Sequence, residues 1–93
     1  MILVNLHMAR IFNIYFTYQE VTYNAIVSVR ETPFFKEYTL KNIDESILKQ
    51  LPADKIISRS KEDFIFQNAP NDPTDLMKEI IRAVANHLYK VDA

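Results

Sequence analysis

Glycine and cysteine are both absent from this chain of 93 residues, and the two absences exclude more chemistry than any motif in it supports. Ordinary usage would supply glycine at ~7%. Without it, the phosphate loops that need bare backbone at a helix N-terminus cannot be written, and neither can the strained turn that presents a nucleophilic serine. Without cysteine there is no thiolate nucleophile, disulfide, thiolate zinc site or iron–sulfur cluster.

Size and composition point to one soluble globular domain over residues 1–93, with 48% hydrophobic, 25% charged and 12% aromatic residues. Eleven basic side chains oppose twelve acidic ones, for a net charge of −1. The balance holds along the chain: four basic and three acidic groups over residues 1–41, four and six over 42–72, three and three over 73–93. No segment offers the concentrated positive charge that a phosphate backbone or an anionic membrane surface attracts, so nucleic-acid and membrane partners are disfavoured. Residues 1–7 have no basic lead and too short an apolar run for a signal peptide. The chain is therefore expected to be cytoplasmic, with residues 1–7 read either as an extension before Met8 or as an extra strand.

Side chains alternate along residues 10–18, with Phe12, Ile14, Phe16 and Tyr18 on one face and Ile11, Asn13, Tyr15 and Thr17 on the other. This is the period of a strand. Residues 22–30 repeat it, with Tyr23, Ala25, Val27 and Val29 inward. A hairpin that opposes Tyr18 to Tyr23 and Phe16 to Ala25 satisfies both patterns, with a loose loop near Glu20-Val21, because tight hairpins favour glycine or asparagine. After Thr32-Pro33, residues 35–41 read as a third strand with Tyr38 and Leu40 facing the core. Lys36 shares their parity, which places it at the rim or calls for a bulge near Phe34-Phe35.

Residues 42–51 suit a short capped helix, with Asn42 three residues before Glu45 and Pro52 closing it. Residues 55–59 and 64–68 are short strand candidates around a polar turn at residues 60–63. Asp72 as N-cap and Pro73 at the first helical position open the last element. In that helix Leu76, Met77, Ile80, Ile81, Val84, Leu88 and Val91 form one apolar arc. The expected fold is α+β: a two-layer sandwich in β-β-β-α-β-β-α order, its antiparallel sheet covered on one face by the C-terminal helix. The order and the missing glycines exclude an RNA-recognition motif.

Chemistry-bearing residues are sparse, and no catalytic, metal or cofactor-binding set is expected. His87 is read as a histidine packed at the helix–sheet seam, since no partner acid is defined for a general base. His7 and His87 stand too far apart for metal-ligand spacing. The pairs Asp44-Glu45 and Glu62-Asp63 fit a helix start and a solvated turn better than a carboxylate dyad. Arg59, Lys61 and Lys55 beside Phe64 and Phe66 fit a charged edge strand whose phenylalanines point inward, better than a single-strand nucleic-acid surface.

Two functional readings follow, and neither is enzymatic. In the first, Ile11, Tyr15, Ile26 and Phe35 form an apolar patch on the outer sheet face and the chain is an interaction or assembly module. A homodimer through that face or through an open strand edge is its simplest form. In the second, the chain binds a small molecule in a pocket between helix and sheet, with the hydroxyls of Tyr18, Tyr23 and Tyr38 as polar handles.

Overall fold

A computed structural model describes residues 10–60 and 63–92. Residues 1–7, Lys61 and Glu62 and the side chain of Val91, all singled out above, lie outside the described set. The element order is β1 (Arg10–Tyr18), β2 (Val21–Glu31), β3 (Lys36–Lys41), α1 (Glu45–Leu48), β4 (Lys55–Ser60), β5 (Asp63–Phe66) and α2 (Asp75–Asp92). The five strands form one antiparallel meander in the order β1-β2-β3-β4-β5. This is the α+β class and the element order expected from the alternation of apolar residues.

The faces of the first hairpin are those the sequence indicates, but the register differs by two residues. Phe16 opposes Tyr23, Ile14 opposes Ala25 and Phe12 opposes Val27. A two-residue shift preserves parity, so every side chain keeps its face. The cause is the turn, which is a tight two-residue connection through Gln19 and Glu20 and not a loose loop. Both residues take left-handed backbone, with φ of 52° and 68°, as a primed hairpin turn requires. The closer turn adds the Tyr18–Val21 and Thr17–Thr22 pairs to the ladder, the two threonine hydroxyls lying 3.2 Å apart. It also stacks Phe16 on Tyr23, with ring centroids 5.6 Å apart.

Both helices begin two residues later than their cap-forming sequences indicate. Asn42 has φ 52°, which is incompatible with the extended backbone of an N-cap. Asp44, at φ −55° and ψ 133°, caps α1 and accepts from the Ser46 amide at 2.8 Å. The Ser46 hydroxyl also donates to this carboxylate, and the pair of bonds holds the Asp44 pKa below the usual aspartate value. In α2 the cap is Thr74, not Asp72. The Thr74 hydroxyl accepts from the Met77 amide at 3.2 Å, and its carbonyl takes the first helical bond, from Lys78, at 3.0 Å.

One buried cluster unites the inner sheet face with the helices: Ile14, Val27, Leu40, Ile56 and Phe66 from the strands, Ile47 from α1, and Ile80 and Val84 from α2. The closest approaches of α2 are to β1 and β5, the two edge strands. The meander curls, and α2 meets both of its edge strands. No buried side-chain nitrogen or oxygen among the described residues lacks a hydrogen-bond partner. No described helix is long and apolar enough to cross a membrane.

Candidate functional site

The apolar inner face ends in a row of mostly polar residues. The registers Glu31↔Lys36, Lys36↔Ser58 and Ser58↔Phe64 align one inward residue from each of β2, β3, β4 and β5. On β1, Arg10 opposes Val29 and has the parity of Phe12 and Ile14, so it closes the same end of the inner face. Above this row lies a cleft of about 540 Å³, walled on one side by the second half of α2 through Ala85, Asn86, Leu88 and Tyr89. It is the open end of the curled sheet.

Two local devices shape the mouth. Between Ser58 and Ser60 the β4–β5 register shifts by one, leaving Arg59 as the extra residue of a bulge, a feature that re-aims a side chain. Arg59 lines the cleft. The hydroxyl of Ser58, a buried residue, donates to the Ser60 carbonyl and pins the bulge. Opposite it, the β2–β3 loop is held by Thr32. The Thr32 hydroxyl accepts from the amides of Phe34 and Phe35 at 3.2 and 3.0 Å and donates to the Phe35 carbonyl at 2.9 Å. The Thr32 amide also donates to that carbonyl, at 2.8 Å. This hydroxyl-stapled turn places the Phe34 ring at the cleft mouth with 83% of its surface exposed.

The floor is aromatic. Tyr38, 2% exposed, lines it beside Phe64, the two rings 5.8 Å apart and tilted by 50°. Lys36 is half-buried at the cleft end of β3, so its inward parity needs no bulge at Phe34-Phe35. Glu31 faces Lys36 across the ladder, yet no ion pair joins them. The ion pairs among the described residues are Arg30–Glu37, Lys55–Asp54 and Arg82–Glu79, and none engages Arg10, Lys36 or Arg59.

The three tyrosines considered as ligand handles are not brought together. Tyr38 is in the cleft. Tyr18 is at the other end of β1, in a smaller polar depression with Thr17 and Lys78. Tyr23, half-buried, packs on Phe16. Of the residues considered as a partner surface, Ile11 and Tyr15 are each 69% exposed on the outer face. Ile26 is half-covered and opposes Asn13, diagonal to both. Phe35 lies in the β2–β3 loop, half-buried among the cleft-lining residues. Two polar neighbours of the patch are tied to each other, Asn24 Nδ2 donating to Asn13 Oδ1 at 3.4 Å and also to the Ile14 carbonyl at 3.0 Å.

His87 stacks on Phe12 with centroids 4.0 Å apart and planes 3° from parallel, half-buried between α2 and β1. Its apolar packing explains a histidine at the margin of the helical stripe. Among the described residues no group of three His, Asp or Glu side chains is placed to hold a metal ion. Comparison with family models, with curated proteins and with solved structures gives no match to this chain.

Proposed function

We propose that this protein is a small-molecule-binding domain whose ligand occupies the cleft at the open end of the curled sheet. The observation that carries the reading is the cleft itself. Its volume of about 540 Å³ falls within the range of roughly 300–1,000 Å³ usual for ligand sites, and it combines an aromatic floor with convergent polar groups. The stapled loop and the pinned bulge hold its walls in place before any ligand arrives, which limits the ordering cost of binding. The proposal retains the cytoplasmic setting expected from the sequence.

Native mass spectrometry of protein purified gently from its expression host tests this. The wild-type chain is expected to retain a reproducible small added mass. Asn86→Trp, at an exposed helical position on the cleft wall, is expected to keep the fold, fill the cleft and lose that mass. The same adduct on both proteins, or no adduct on either, would contradict the reading.

Self-association through the outer face is a second proposal, supported by the exposure of Ile11 and Tyr15 beside Ile26. The same spectrum reports subunit count, and Tyr15→Glu would return a dimer to monomer if that face were the contact.

A further inference from the structure

We infer that the cleft selects ligands that join an anionic group to a flat apolar body, an inference that rests on reading the cleft as a ligand site. Among the described residues, three cations, Arg10, Lys36 and Arg59, line it against one carboxylate, Glu31. The chain as a whole carries −1, so this positive charge is a local feature of the cleft. Among the described residues none of the three cations is held in an ion pair. The depression at the opposite end provides the contrast. There Asp75 and Glu79 balance Lys78 and Arg82, and Glu79 is already paired with Arg82.

The cations sit at different depths. Lys36 is half-buried at the floor, whereas Arg59 and Arg10 are exposed at the rim. An anion seated over Lys36 would leave the two guanidinium groups free to close around it, and guanidinium groups suit carboxylate, sulfonate and phosphate oxygens alike. The second half of α2 adds nothing to this attraction, because a helix C-terminus carries partial negative charge. Selection therefore falls to the side chains.

The apolar half of the ligand is specified by the rings. Phe34 stands exposed on a turn held by three hydrogen bonds to and from the Thr32 hydroxyl, and Tyr89, 79% exposed, lies on the facing helix. A rigid exposed ring costs little conformational entropy when it gains a stacking partner, and flat ligands provide the largest contact.

Two probes separate the charge from the ring system: anilinonaphthalene sulfonate, and N-phenylnaphthylamine, which has the same rings without the sulfonate. Affinities are measured by fluorescence titration on the wild type, Lys36→Gln/Arg59→Gln, Arg59→Gln alone and Asn86→Trp, each checked for native folding by circular dichroism. The sulfonate is expected to bind the wild type at least about tenfold more tightly than the neutral probe, a gap of roughly 1.4 kcal/mol. Added salt should narrow this gap, Arg59→Gln should reduce it, and the double variant should bring it within about twofold. Both probes should weaken together in Asn86→Trp. Equal affinities that Asn86→Trp still weakens would overturn the anion inference and leave the cleft reading intact. Binding of both probes that Asn86→Trp leaves unchanged would overturn both.

Discussion

Phe66→Ala is expected to destabilise the fold by about 3–5 kcal/mol, the usual cost of removing a fully buried phenylalanine ring. Phe66 is 1% exposed in the core cluster, opposes Ile56 in the ladder and stands on the edge strand that α2 approaches. Its removal empties a volume that sheet and helix fill jointly, and such space closes only partly. A domain of this length has roughly 5–14 kcal/mol in total. Each kcal/mol moves its melting temperature by roughly 4–8 °C, so the melting point should fall by about 12 °C or more. Ile65→Ala is the control. It is one residue away on the same strand but faces outward, 53% exposed, and should change stability by no more than about 0.5 kcal/mol. Similar melting curves for the two variants would mean that the inner and outer faces of β5 are wrongly assigned.

The second large effect is a gain. Gln19 and Glu20 hold left-handed backbone without being glycine or asparagine, at a cost of roughly 1–2 kcal/mol per residue for a side chain with a Cβ. Replacing them with the primed-turn pair, Gln19→Asn/Glu20→Gly, removes most of that strain. The greater freedom of glycine in the unfolded chain takes back part of the benefit. The net result should be about 1–2 kcal/mol of added stability, read as a higher urea midpoint with an unchanged slope. A loss of stability would show that the turn does not adopt this geometry.

That turn also shows where sequence reasoning stops. Alternation along β1 and β2 states which residues face inward, and the burial of Ile14, Phe16, Ala25, Val27 and Val29 agrees. Alternation says nothing about a shift of two, because parity survives it. Register depended on a turn made from Gln-Glu, residues with no propensity to announce it. The helix starts failed for a related reason. Asn42 and Asp44, like Asp72 and Thr74, are all residues that can cap a helix. Backbone angles choose between the first pair, and the observed hydrogen bonds identify Thr74 in the second.

The cleft was legible only in fragments. Its base joins the polar residues 31, 36 and 58 to Phe64, which are adjacent solely through three ladders. One signal in the sequence was Lys36, a charged residue among inward positions of its strand that are otherwise filled by Tyr38 and Leu40. Glu31 and Ser58 carry the same signal on β2 and β4, and together they mark the end at which the inner face stops being core. The Arg59 bulge had no such signal, since an unpaired residue leaves no periodic trace. Phe34 was visible as a residue near a break in the ladder, but its placement at the cleft mouth depends on Thr32, whose hydroxyl holds that turn through three hydrogen bonds.

The most direct test of the central claim is an amide-resolved NMR titration of the nitrogen-15-labelled protein with anilinonaphthalene sulfonate. Saturable shifts are expected at Arg10, at residues 31–36, 58–60 and 85–89 and at Phe64, with the amides of Tyr15 and Ile26 unmoved. Shifts confined to those two outer-face residues, or scattered without a focus at the open end of the sheet, would contradict the cleft reading.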